Sequence, residues 1–284
     1  MKKQQFIVAG GGILILVIFY FFGNTVPPLN KSEAATGSQE SAKTFDIKEI
    51  LEVSRSKLSP SQLAYVNRLE NSVVRGDVKN QQIAAYHQLS DFWKDSVQNA
   101  FLPSVYYLSE AAKLENSEKS LTFAAQLFLS NLRSQDNPEL KSWMANQSRD
   151  LFESAEKLNP ANDSTVIGLG ATYIFGSSGQ EPEEVMKGIQ KILEVTRRDS
   201  LNMYAQLVLG LGGIESGQYD KAIPRLMKVV SHEPANLEAL LSLGEAYERT
   251  GDNAAAKKWY AAAKENTKNP DLIYAIDERL DSLK

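Results

Sequence analysis

The sequence predicts an all-α protein: an α-α superhelix of stacked helical hairpins, preceded by a single N-terminal transmembrane helix and a disordered linker. Three observations predict it. Apolar residues recur at helical spacing almost without a break from Phe45 to Lys284, and no convincing alternating strands appear. Several residues reappear at a displacement of 34 positions, and self-similarity of fixed period is the mark of a repeat architecture. Near the start, an uncharged and largely apolar run extends from Phe6 to Phe22.

Taken in order, residues 1–5 carry Lys2 and Lys3 and are assigned to the cytoplasmic side. Residues 6–22 form a run of 17, which as a helix reaches roughly 26 Å, just enough to span a bilayer. A cleaved signal peptide has a shorter apolar region and a small-residue cleavage site. Here Tyr20, Phe21 and Phe22 close the run, so an uncleaved signal anchor is expected, with a cleaved signal as the alternative. Lys2 and Lys3 hold the N-terminus inside by the positive-inside tendency. The rest of the chain is thereby expected in the bacterial periplasm, on a single-pass inner-membrane anchor. Residues 23–44, rich in small polar residues and with two prolines, read as a disordered tether. A random coil of that length reaches roughly 25 Å.

Beyond the tether the expected helices are 46–57, 60–75, 78–95, 101–115, 118–133, 139–158, 162–176, 182–197, 201–216, 219–231, 235–250, 253–267 and 270–283. Clusters containing Gly, Pro, Asn or Asp separate them. Ser59 before Pro60 is a start signal, because Pro fits the first helical turn and Ser caps it.

The repeat is clearest toward the C-terminus. Gly210, Gly217, Ala222 and Leu226 reappear as Gly244, Gly251, Ala256 and Tyr260. Residues 237–270 read Leu243-Gly244-x-x-Tyr247, Gly251, Ala256-x-x-x-Tyr260, then Pro270. Residues 203–236 read Leu209-Gly210-x-x-Gly213, Gly217, Ala222-x-x-x-Leu226, then Pro234. Residues 163–202 read Leu169-Gly170-x-x-Tyr173, then extra residues around "SSGQEP", then Gly188-x-x-x-Ile192. On these residues the chain resembles the tetratricopeptide repeat (TPR) family, whose first helix carries L-G-x-x-Y and whose second carries A-x-x-x-F. Residues 45–162 are assigned to divergent repeats of the same kind, since "FESAEKLNP" at 152–160 echoes "LSEAAKLEN" at 108–116 as a second helix. Residues 271–284 are expected to cap the array, with Ile273, Ile276, Leu280 and Leu283 along one face. The pattern has departures. Gln206 stands where the family favours a large aromatic, and Gly213 replaces Tyr. Pro224 falls inside a second helix, which it should kink or restrict to a late start.

Gly-rich "LGLGG" at 209–213 raises the question of a phosphate loop. A dinucleotide loop needs G-x-G-x-x-G between a strand and a helix. Glu215 stands where the third glycine belongs after Gly210 and Gly212, and Tyr173 stands there after Gly168 and Gly170. Packing glycines at Gly170, Gly210 and Gly244, and turn glycines at Gly217 and Gly251, explain the pattern without a ligand.

Little else suggests chemistry. Cysteine is absent, and His87 and His232 are the two histidines, in different repeats. Glu183 and Glu184 follow Pro182 at a helix start, where the dipole favours carboxylates. No catalytic residue, metal ligand or cofactor is expected. A formal net charge of −4 argues against nucleic acid, which needs clustered cations. "AAAKKWYAAAK" reads as a solvated helix face with Trp259 and Tyr260 turned inward.

The resemblance implies a concave protein-binding groove lined by first helices. Counted from each aligned glycine, its lining is Ser164, Ile167, Ala171, Ile174 and Phe175, then Tyr204, Leu207, Leu211, Ile214 and Glu215, then Glu238, Leu241, Glu245, Glu248 and Arg249. That surface is apolar in the middle and acidic at its later end, which suits an apolar helix or extended peptide with a basic end. The alternative is that these side chains pack against neighbouring repeats, or that another segment fills the groove. The function expected is a non-catalytic scaffold for protein or peptide partners in envelope assembly, secretion or chaperone work. Alternatives are a self-associating, homo-oligomeric structural protein and, third, a small-ligand binder or enzyme whose site escapes sequence reading.

Overall fold

A computed structural model describes residues 45–75, 78–177 and 182–283. The expected anchor and tether, and most of the "SSGQEP" insertion, lie outside the described residues. No helix among the described residues is long and apolar enough to cross a membrane.

Thirteen α-helices occur among the described residues. They are α1 (Ile47–Arg55), α2 (Pro60–Arg75), α3 (Lys79–Ser96), α4 (Phe101–Glu115), α5 (Glu118–Leu129), α6 (Pro138–Leu158), α7 (Asp163–Gly176), α8 (Pro182–Arg198), α9 (Met203–Glu215), α10 (Tyr219–His232), α11 (Leu237–Arg249), α12 (Asn253–Glu265) and α13 (Pro270–Ser282). Each expected helix is present, most with ends shifted by a residue or two. The largest shift is at α5, which stops at Leu129 and passes into a run of turns that includes Arg133.

Asparagine starts three of the first helices, α7, α9 and α11. Asn162, Asn202 and Asn236 each accept from a backbone N–H two or three residues on, satisfying donors that have no partner inside the helix. Asn202 and Asn236 keep the 34-residue spacing.

Successive helices pack as antiparallel-type pairs: α3 on α4, α5 on α6, α7 on α8, α9 on α10 and α11 on α12, within the unit Thr44–Lys284. First helices stack in a row, α5 on α7, α7 on α9 and α9 on α11, and α13 lies on α12. This is the superhelical arrangement of stacked hairpins. Ion pairs act both between and within hairpins: Lys191 Nζ of α8 donates to Glu156 of α6 at 2.8 Å, and Arg198 at the end of α8 pairs with Asp163 at the start of α7.

The glycines take the places the repeat reading gives them. A Cβ on Gly188 would stand 2.4 Å from the Gly170 carbonyl oxygen, so α7 and α8 cross with no side chain between them. Gly217 and Gly251 adopt φ of +69° and +84° in the turns between paired helices, a region that favours glycine.

Two departures are resolved. Gln206 is buried: its Nε2 donates to the Ser200 carbonyl and its Oε1 accepts from Arg225 Nη1 at 2.9 Å. A polar pair thus fills a place that an aromatic fills in the family pattern. Pro224 does not delay its helix; α10 begins at Tyr219 and runs through it. Its ring removes one backbone hydrogen bond close to the helix start, and Pro224 is exposed.

Candidate functional site

Helix α7 decides how much of the expected groove is open. From Thr165 to Phe175 every residue is buried. A helix apolar all round requires neighbours on all sides, and α5, α6, α8 and α9 supply them. Ile167, Ala171, Ile174 and Phe175 therefore belong to the core, together with Leu211, while Ile214 belongs to a second core cluster. Ser164 is exposed at the start of α7. Of the other expected lining residues, Tyr204, Leu207, Leu241, Glu245 and Glu248 are half-buried, and Glu215, Glu238 and Arg249 are exposed. Six of the nine apolar lining residues are thus occupied by packing within the array, and Tyr204, Leu207 and Leu241 are the three left partly open.

Arg133, in the turn after α5, reaches across the row of first helices. Its Nε donates to Glu215 Oε1 of α9 at 3.2 Å, and its Nη1 donates to Glu238 Oε1 of α11 at 2.6 Å. Its guanidinium carbon lies 5.4 Å from the centre of the Phe175 ring of α7. One side chain so touches three successive hairpins, at positions the family pattern assigns to the groove lining. Nearby, the Tyr204 hydroxyl donates to Gln126 Oε1 of α5 at 3.4 Å. Burial pushes the Tyr204 phenol pKa up.

Beside this arginine lies a pocket of about 650 Å³ between α11, α12 and α13, with Leu237, Leu241 and Tyr260 as apolar walls and Glu238 and Glu245 as acidic ones. Tyr260 donates to Glu248 Oε2 at 3.0 Å, and Arg279 Nε donates to the same oxygen at 2.9 Å. Burial pushes the Tyr260 phenol up to about 12, with Arg279 opposing and Glu248 adding. Nothing in the sequence pattern pointed to Arg133, which lies 82 and 105 residues from its partners.

A second cavity, of about 510 Å³, sits where α3, α4 and α5 meet, lined by Trp93, Phe101, Val105, Phe123 and Leu127 among others. The buried Trp93 Nε1 has no hydrogen-bond partner among the described residues.

The histidines stay apart. His87 of α3 is hydrogen-bonded through Nε2 to Glu115 Oε1 at 2.6 Å, and His232 Nδ1 faces the Lys228 carbonyl at 3.0 Å. The Glu115 carboxyl is held below its ordinary range, chiefly by the His87 hydrogen bond. Glu183 and Glu184 occupy the first turn of α8. No cluster of three potential metal ligands occurs among the described residues.

The tetratricopeptide repeat family model matches residues 214–276. Over those residues the chain matches tetratricopeptide repeats. Among solved structures, a thermophilic TPR protein of Thermus thermophilus is 17% identical, covering 70% of this chain and 98% of that one, with a TM-score of 0.54. MamA from Desulfovibrio magneticus is 19% identical over 65% of this chain and 94% of that one, with a TM-score of 0.43. YrrB, described as a TPR protein with an unusual peptide-binding site, is 13% identical over 74% and 97%, with a TM-score of 0.41. At 17% identity the first likeness speaks for the fold alone. No curated protein matches the sequence.

Proposed function

We propose that this protein is a non-catalytic scaffold that holds a segment of another protein along the open part of its concave face, on α9 and α11. The observation that carries the reading is the patch of half-buried Tyr204, Leu207 and Leu241 next to Glu245. Apolar side chains left incompletely covered, with acidic groups at one end, suit an apolar segment with a basic end. Tetratricopeptide repeats support a partner that is a protein or peptide.

We further propose that the apolar run from Phe6 to Phe22 anchors the chain in a bacterial inner membrane, with the repeats on the periplasmic side and a role in envelope assembly, secretion or chaperone work. Its support is the run's length and the two lysines ahead of it.

A photo-crosslinking residue at Leu207 or Leu241 is expected to give adducts with other proteins in living cells, while the same residue at Met186, exposed on the second helix α8, gives none of them. Adducts solely with copies of this chain would replace the scaffold with a self-assembling protein. Protease added to spheroplasts should digest the repeats; protection would place them in the cytoplasm.

A further inference from the structure

We propose that Arg133 is an internal ligand of the concave face: its guanidinium occupies the place that a cationic side chain of a partner segment takes, and binding exchanges one cation for the other. The proposal rests on the scaffold reading above and names the chemistry its partner must bring.

The receptor for a planar cation is already assembled. Two carboxylates from different hairpins converge on the guanidinium, Glu215 and Glu238, and the ring of Phe175 lies against it. Carboxylate forks and aromatic faces are the surroundings that arginine favours. What fills them is not built to be permanent. Side-chain exposure is 32% for Arg133, 47% for Glu215 and 51% for Glu238, and ion pairs so open to water are weak. Arg133 also belongs to a turn rather than a helix, so it can swing out with no helical hydrogen bond broken.

The neighbouring pocket supplies the remainder of a site. Leu237 and Leu241 offer apolar wall, and Glu245 has no hydrogen bond or ion pair among the described residues. When Arg133 leaves, three carboxylates face the groove, which draws in a segment whose apolar residues precede a basic one.

The test uses a fluorescein-labelled probe peptide of two leucines followed by two arginines, and the same peptide with citrulline for arginine, read by polarisation. Arg133→Ala and Arg133→Gln should each bind the arginine probe about threefold to tenfold more tightly than the wild type, the worth of two exposed pairs that no longer compete. Arg133→Lys should stay near wild type, and the citrulline probe should gain nothing from any variant. Because the chain has no cysteine, spin labels at Asp136→Cys and Asn253→Cys report the turn against α12. The probe should shift their distance in the wild type as Arg133→Ala does unliganded. Equal probe affinity for wild type and Arg133→Ala, with Leu241→Glu still abolishing binding, overturns the internal ligand and leaves the scaffold face standing. Probe binding that is undetectable in every variant, or indifferent to Leu241→Glu, overturns both.

Discussion

Arg225 reaches back from α10 to Gln206 on α9, and Nη1 donates to the buried amide oxygen at 2.9 Å. No ion pair joins this guanidinium to a carboxylate among the described residues, and burial pulls its pKa down. Gln206→Ala removes the acceptor and leaves a half-buried charge with no protein partner. The expected loss is about 1–3 kcal/mol in a urea titration. Arg225→Leu in the same background should restore much of it, since the unpaired charge is then gone and the acceptor still without its donor, the carbonyl of the exposed Ser200, can turn to water; a further loss would show that Arg225 acts through something other than Gln206.

Glycines at the helix crossings differ in what they meet. A Cβ at Gly188 strikes a backbone oxygen, whereas a Cβ at Gly210 meets the end of the Leu226 side chain at 2.8 Å. Backbone cannot step aside by rotating a bond. Gly188→Ala should cost about 1–3 kcal/mol through overpacking, and Gly210→Ala should cost less. Equal thermal shifts for the two would mean that α7 and α8 separate more readily than their contact implies.

His87 lowers the pKa of Glu115 by donating to its carboxylate. A carboxyl with a depressed folded pKa stabilises the fold above its unfolded pKa and loses that stabilisation as pH falls through the folded value. His87→Ala should raise the Glu115 pKa toward the ordinary range in a carbon-13 NMR titration. It should also flatten the acid limb of stability between those two values. An unmoved Glu115 titration would remove His87 as the cause.

Glutamate at Leu207 and at Ile214 should behave differently. Leu207 is half-buried, so Leu207→Glu is expected to leave the helical CD signal intact and to weaken partner capture. Ile214 is 7% exposed inside the core cluster around Ala222, Leu226 and Leu243. An unpaired carboxylate there should cost about 3 kcal/mol or more and lower the melting temperature sharply. A stable Ile214→Glu protein would move that side chain out of the core and back onto the binding face.

Helix positions and their pairing were legible in the sequence because each depends on neighbours a few residues away. Apolar periodicity, Gly217 and Gly251 in the turns, and Gly210 and Gly244 at the crossings all carry local or one-repeat signals. The asparagine caps at Asn202 and Asn236 keep the same period and are a further one-repeat signal. How tightly the array coils was not legible, since that sums small rotations over many repeats. So Ile167, Ile174 and Phe175, on the face the pattern assigns to a ligand, turn out to be covered by α5, α9 and Arg133. Likewise Gln206 read as a mere departure until Arg225 and the Ser200 carbonyl were seen around it.

Nearly every contact among the described helices joins an element to its neighbours in the row, so an outward pull on α13 should peel the coil one hairpin at a time, like an extension spring paying out from its free end. Arg133 bridges from the α5 turn to α11, past two intervening hairpin rungs. It makes that spring one with a catch: stiff while the arginine is seated, and compliant over its last rungs once something else has taken the seat.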